Sequence, residues 1–292
     1  MMTAGQRFRA ALSKSHPMQI VGTVNAYCAL LAKATNMDAI YISGGALAAV
    51  SCGMPDLGIT NLEDILTDVR RITDVVDTPL IVDIDTGFGD FLGIERTIKS
   101  MIKFGAAGIH IEDQVIQKRC GHRPNKNLVN IEEMSNRLRT AHNMRQEIDK
   151  SFYLIARTDA IASEGVNSAI KRAKAYQAIG VDAIFVEACS KLEDYKSFVD
   201  VLDIPVMANI TEFGKTPLYT CEQLKSVGVS MVLYPFTATR MMNKAALTAY
   251  QCLKKNGTQQ SLIKQMQTRK ELYSYLGYHE HENKLDALFI NN

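Results

Sequence analysis

Short, mostly apolar runs alternate along the chain with longer stretches in which apolar residues recur at helical spacing. The runs Met18–Val24, Asp38–Ser43, Pro79–Asp85, Gly108–Glu112, Phe152–Arg157, Asp182–Glu187, Pro205–Asn209 and Ser230–Tyr234 read as eight strands. Helices are predicted near Gln6–Leu12, Ala26–Lys33, Ile94–Phe104, Ile131–Met144, Val166–Ala178 and Thr239–Lys254, with another running from Thr60, as its cap, to about Val76. Gly44-Gly45-Ala46 reads as a small-residue loop and Thr86-Gly87-Phe88-Gly89 as a glycine turn. Beyond the last strand and its helix, two more helical stretches are expected, about Gln259–Leu276 and Glu280–Phe289. Strands alternating with helices imply a parallel sheet, and eight is the number that closes a barrel. The segments beginning at Asn36, Gly105, Gly180 and Gly228 echo one another as tight turns into a strand. An open doubly wound sheet has the same rhythm, but the first strand lacks a Gly-x-Gly-x-x-Gly turn. The expectation is a (β/α)8 barrel over about 18–255 with a helical extension over about 256–292, in a single domain.

The strand ends sharpen this picture. Side chains alternate between the faces of a strand, so Tyr41 shares a face with Ser43, Asp83 with Asp85, His110 with Glu112, Ile155 with Arg157, Phe185 with Glu187 and Met207 with Asn209. The intervening residues are mostly apolar and suit the helix-facing side. The polar set therefore points inward at the C-terminal rim, where barrel enzymes build their sites. Arg157 and Glu187 could be a structural ion pair. Asp83, Asp85 and Glu112 together are harder to explain that way, because three inward carboxylates raise one another's pKa unless a cation sits between them. Oxygen ligands of this kind favour Mg2+, or Mn2+, with several waters retained. A lone inward histidine such as His110 is more often a hydrogen-bonded core residue.

The stretch after the fourth strand adds a second chemistry. Ile109–Glu112 leads through Asp113 into a polar loop in which Cys120 lies among Lys118, Arg119, His122 and Arg123. Such neighbours favour a thiolate, and Gly121 lets the backbone approach a ligand closely. A solvated basic loop with an incidental cysteine is the plain alternative, against which the adjoining Glu112-Asp113 weighs.

Composition narrows the classes. The 292 residues and 47% hydrophobic content suffice for one barrel core, and 33 basic against 31 acidic residues leave a net charge of +2, which offers no general attraction to nucleic acid or membrane. Six cysteines lie scattered without a Cys-x-x-Cys pair, the N-terminus shows no signal pattern, and no apolar run nears the roughly 18 residues of a membrane span. A cytoplasmic protein with reduced thiols is expected.

With these residues in view, the chain resembles the isocitrate lyase and phosphoenolpyruvate mutase superfamily over essentially its whole length. The resemblance rests on Ser43-Gly44-Gly45, Asp83-Ile84-Asp85-Thr86-Gly87-Phe88-Gly89, Ile111-Glu112-Asp113-Gln114, Lys118-Arg119-Cys120-Gly121-His122, Ala156-Arg157-Thr158-Asp159, Val186-Glu187-Ala188, Asn209-Ile210-Thr211-Glu212-Phe213-Gly214 and Tyr234-Pro235. It implies Mg2+-dependent, reversible cleavage of 2-methylisocitrate to pyruvate and succinate, as in propionate catabolism through the methylcitrate cycle. It also implies a homotetramer in which a C-terminal helix is exchanged between subunits. The alternative is that the two tail helices close the bottom or side of their own barrel.

The roles implied by the resemblance follow. Asp85, with Asp83 and Glu112, would hold the metal directly or through water. Arg157, Arg240 and, from the tail, Arg269 would hold substrate carboxylates. Ser43, Gly44, Gly45, Gly121, His122, Glu187, Asn209 and Thr211 would complete the substrate shell, the glycines through backbone N–H groups. Cys120 would protonate the succinate carbanion, with Lys118 neutralising what remains. Tyr41 is the candidate acceptor of the hydroxyl proton, with a metal-bound hydroxide or Glu187 as alternatives. Phe185, Leu233 and Pro235 are candidates for a small pocket receiving the substrate methyl group. Isocitrate lyase and other 2-hydroxy- or 2-oxo-acid lyases of the superfamily are the alternatives within it; a catalytically silent binding barrel is the alternative from another class.

Overall fold

The computed structural model describes residues 2–121 and 125–290. Strands β1 (Met18–Gly22), β2 (Ala39–Ile42), β3 (Leu80–Asp83), β4 (Gly108–Glu112), β5 (Tyr153–Thr158), β6 (Ala183–Val186), β7 (Val206–Asn209) and β8 (Met231–Tyr234) pair in parallel, in chain order, with β8 closing on β1. The alternation read from the sequence separates two buried shells. Met18, Ile20, Tyr41, Ile81, Ile155, Phe185, Met207 and Leu233 fill the barrel, whereas Ile40, Ile42, Val82, Ile109, Leu154, Ile184 and Val232 meet the surrounding helices.

The floor of the barrel is the N-terminal helix Ala4–Lys14, capped reciprocally by Thr3 and Gln6. Its Phe8 is fully buried among the interior side chains, with its ring centroid 4.6 Å from that of Tyr153. Gly5 lets this helix lie directly on the backbone before β5, where a Cβ would fall 2.3 Å from the Ser151 carbonyl oxygen. Arg9 fastens it to Asp182 at 2.8 Å. With this end plugged, the C-terminal mouth is the end left to receive a ligand.

Several local expectations change. Gly44-Gly45-Ala46 opens a helix, Gly44–Val50, rather than forming a loop, because the Ser43 hydroxyl accepts from the Ala46 N–H and Ala46 to Val50 then propagates the turn. Asn61, not Thr60, caps the next helix, Leu62–Thr73, in a reciprocal box with Asp64. Helices Leu192–Val199 and Cys221–Ser226 fill the two intervals in which none was expected. Strand β3 stops at Asp83, and Asp85 lies in a left-handed turn, φ 49°, with its N–H held by Asp83 Oδ1 at 3.1 Å. Aspartate tolerates that region better than most residues do.

After the helix Thr237–Asn256 the tail divides into a 3-10 turn, Gln260–Gln265, and helices Arg269–Leu276 and Tyr278–Ile290. Helix Arg269–Leu276 docks on the outer helix Ala26–Ala34, helped by a 2.7 Å bond from the Tyr27 hydroxyl to Gln267. Among the described residues no helix is long and apolar enough to cross a membrane.

Candidate active site

The strand ends surround a cavity of about 440 Å3 at the C-terminal mouth. Tyr41, Ser43, Gly45, Asp83, Lys118, Cys120, Gly121, Arg157, Glu187, Asn209, Thr211 and Arg240 all line it, as do the apolar Phe185, Leu233 and Pro235. Residues from β2, β3 and β5 to β8 therefore meet the cysteine loop in one space. His122 lies outside the described residues.

Parallel register explains the side-chain neighbours. Asp83 and His110 are partners across β3 and β4, and Glu112 and Arg157 across β4 and β5. The Arg157 guanidinium lies 3.3 Å from Glu112 and 3.6 Å from Glu187, with its plane over the Phe185 ring at 5.1 Å. Asp159, on the same face two residues on, clamps Arg157 through Nε at 2.9 Å and Nη2 at 3.2 Å. Burial alone would weaken the guanidinium's charge, but these carboxylates outweigh it and hold Arg157 firmly cationic.

The loop after β4 folds down onto the mouth. Lys118, 4% exposed, reaches Asp56 Oδ1 at 2.6 Å and contacts Asp85 directly. Burial opposes its protonation, yet Asp85, Glu112, Asp83 and Asp56 together raise its pKa. Gln114 braces the loop by exchanging two 2.9 Å bonds with the backbone of Arg119. Cys120 is exposed at the rim of the cavity.

The three carboxylates differ in state. Burial works against ionising Asp83, but the neighbouring cations and N–H donors overcome it and hold its pKa down at about 2. His110, pushed down to about 4 by burial, is neutral at pH 7, so there Lys118 and Arg157 supply that support. Asp85 is pushed up to about 7 by burial and by Asp83, and Glu112 is raised well above the usual range by burial. This is the strain that calls for a cation. Both Glu112 oxygens are buried and accept no hydrogen bond among the described residues. An all-oxygen set with unsatisfied acceptors fits a hard divalent ion.

Of the two arrangements expected for Asp83, Asp85 and Glu112, direct or through water, the direct grouping is not formed. Among the described residues no three His, Cys, Asp or Glu side chains converge to hold a metal ion. The Asp83 oxygens are taken by the N–H groups of Gly44, at 3.0 Å, and Asp85, and the Lys118 ammonium sits on Asp85. Gly44 accordingly offers its N–H to Asp83 rather than to a substrate. Arg269 is likewise absent from the cavity wall: it is exposed, at the start of the helix docked on Ala26–Ala34. Tyr41 is in place, but burial raises its phenol well above 10 and its hydroxyl lies 2.7 Å from His110 Nε2, so it serves as a neutral hydrogen-bonding group instead of a base. His110 is the buried core histidine that its lone position suggested.

Three residues given no role from the sequence belong to the site: Asp56, Asp159 and Lys126, whose Nζ lies 2.6 Å from Asp159 Oδ1. Asp159 shares the face of Arg157 by the same period of two that located the other inward residues. Asp56 and Lys126 lie in loops, where no such period applies.

The sequence matches the phosphoenolpyruvate phosphomutase family over residues 8–253. It is 55% identical to a 2-methylisocitrate lyase of Vibrio cholerae, across 99% of this chain and 95% of that protein. Among solved structures it resembles 2,3-dimethylmalate lyase, a member of the phosphoenolpyruvate mutase and isocitrate lyase superfamily, with a TM-score of 0.90 and 32% identity over 99% of this chain and 96% of that one. A phosphonopyruvate hydrolase in complex with oxalate and Mg2+ gives a TM-score of 0.86 and 27% identity, covering 99% of this chain and 100% of that one. With its closed barrel and its acid-lined, cysteine-bearing mouth, the chain belongs to the isocitrate lyase and phosphoenolpyruvate mutase superfamily and is an enzyme of the carbon-carbon lyase kind. Within that superfamily it falls with the 2-methylisocitrate lyases.

Proposed function

We propose that this enzyme cleaves 2-methylisocitrate to pyruvate and succinate with Mg2+ as cofactor, in the methylcitrate cycle of propionate catabolism, and that Cys120 is its proton donor. The observation that carries this reading is that Cys120 and Lys118 line the same cavity as Asp83, Arg157 and Glu187, with Lys118 reaching from it to Asp85. Mg2+, when bound, would supply a Lewis acid to the substrate's hydroxyl and adjoining carboxylate, held by Asp85 with Asp83 and Glu112 through water; Mn2+ has the same preferences.

The chain's own groups supply the rest. Arg157 and Arg240 hold substrate carboxylates, with Ser43, Gly45, Asn209 and Thr211 around them. Glu187, whose oxygens lie 3.2 and 3.5 Å from Asn209 Nδ2, takes the hydroxyl proton. The bond between the carbinol carbon and its neighbour then breaks, leaving the ketone of pyruvate and a carbanion on the succinate fragment. The Cys120 thiol gives that carbon its proton, and Lys118 offsets the charge left on sulfur. Phe185, Leu233 and Pro235 receive the methyl group, and a contact of that size discriminates by only about 1–3 kcal/mol, so slow isocitrate turnover is expected.

The proposal includes a cytoplasmic, single-domain subunit in a homotetramer with exchanged C-terminal helices. In support, helix Thr237–Asn256 leaves Met241, Leu247 and Tyr250 at least half exposed, and Leu285 and Phe289 of the last helix are also open. The test is product release from 2-methylisocitrate, isocitrate, oxaloacetate and dimethylmalate side by side, read as pyruvate, glyoxylate, oxalate and pyruvate respectively. Release should be fastest with 2-methylisocitrate and vanish with chelator; preference for another of the four would overturn the substrate assignment.

A further inference from the structure

The cysteine loop is fastened by a side chain that the reaction above does not use. Lys126 is buried, and besides its contact with Asp159 its Nζ donates at 2.7 Å to the carbonyl oxygen of Gly121, the residue after the thiol. A lysine at the end of a loop ordinarily extends into water, and burying its ammonium is costly unless it is paired and hydrogen-bonded. Here both partners are provided, and one of them is the backbone of the catalytic loop.

The other partner is shared. Asp159 Oδ1 takes Lys126 and Arg157 Nη2 together, while Oδ2 takes Arg157 Nε. Asp159 is itself held by the buried Asp113, which accepts its N–H at 2.9 Å and the Thr158 and Tyr176 hydroxyls at 2.8 and 3.0 Å. The seat of the loop is correspondingly tight: a Cβ at Gly121 would fall 2.5 Å from Arg157 Nη2 and 2.6 Å from Glu187 Cγ.

We propose that Lys126 is a positioning residue that latches the Cys120 loop over the barrel mouth. Because Asp159 serves both Lys126 and Arg157, seating the thiol and orienting the anion-binding guanidinium depend on one carboxylate. The latch is a property of the loop and can be read without substrate, so it stands or falls separately from the lyase assignment.

The test is amide hydrogen exchange on the full-length Lys126→Met protein. Losing a charge-assisted bond should speed exchange over residues 116–121 by roughly 10- to 100-fold, with the eight strands unchanged. Gly121→Ala, which keeps Lys126 but crowds the seat, should give the same local signature and guards against misfolding of the first variant. In turnover of 2-methylisocitrate, Lys126→Met should lower kcat by roughly 10- to 100-fold while KM moves less than about threefold, since Asp159 still holds Arg157, and Lys126→Arg should recover part of the loss. Unchanged exchange in the loop, or acceleration spread evenly through the barrel, would overturn the latch. So would a raised KM with kcat intact.

Discussion

Replacing Lys118 with methionine removes the ammonium that stands 2.6 Å from Asp56 and against Asp85, where the lysine and Asp85 side chains are only 4% and 6% exposed. Removing one partner of a buried pair typically costs about 3–5 kcal/mol, because the other charge stays behind without compensation. Arg157 cannot take over, being committed to Asp159, Glu112 and Glu187. Asp85 can relieve part of the cost by keeping a proton, since its pKa is about 7 even beside Lys118. The lower end of the range, about 3 kcal/mol, is therefore expected, or a fall of about 5 °C in thermal midpoint for a chain of this size. The pH trend follows from the same residue. A carboxyl whose folded pKa lies above its unfolded one stabilises the fold while protonated and loses that contribution as pH rises through the folded value. The deficit of the variant against the wild type should accordingly grow between about pH 6 and pH 8. Differential scanning fluorimetry in chelator, repeated with millimolar Mg2+, measures both effects, and Mg2+ should raise the midpoint of the variant more than that of the wild type. A midpoint within about 2 °C of wild type in chelator, or equal responses to Mg2+, would refute the placement of Lys118 as the internal counter-ion of these carboxylates.

Other outcomes follow from single contacts. Arg157→Lys loses the planar clamp on Asp159 and the contact with Glu187, and kcat/KM should fall by roughly 10²- to 10³-fold in steady-state assays; a loss below about threefold would remove Arg157 from substrate binding. Leu233→Phe narrows the apolar wall of the cavity, and the preference for 2-methylisocitrate over isocitrate should drop by roughly 10- to 100-fold in competition assays. Phe8→Ala empties the fully buried plug at the opposite end of the barrel, so urea denaturation should show a loss of about 3–5 kcal/mol with kcat near wild type.

What could be read from the chain depended on where a regular period applied. Strand positions repeat every two residues, so Asp83, Glu112, Arg157, Glu187 and Asn209 were legible as one inward set from the chain alone, and all but Glu112 line the cavity. Asp85 was reached by the same rule for a partly different reason: its strand has already ended, and a left-handed turn braced by Asp83 directs it. Gly44-Gly45-Ala46 looked like a loop because two glycines disfavour helix, whereas the Ser43 cap and the run on to Val50 decide otherwise. Lys118 with Asp56, and Lys126 with Asp159, are contacts between loops far apart in sequence. No local pattern encodes them; they exist because barrel closure brings the loops to one rim. Arg269 illustrates the converse, since the family resemblance assigned it to the site from the tail while its own helix carries it to the outside of this subunit.

The most direct measurement is ketoacid release from 2-methylisocitrate by Cys120→Ala in saturating Mg2+, alongside substrate binding by calorimetry. Loss of a positioned proton donor should lower kcat by roughly 10²- to 10⁴-fold while the substrate Kd stays within a few-fold of wild type. Turnover near the wild-type rate would mean that the thiol and the acidic strand ends do not act on one substrate.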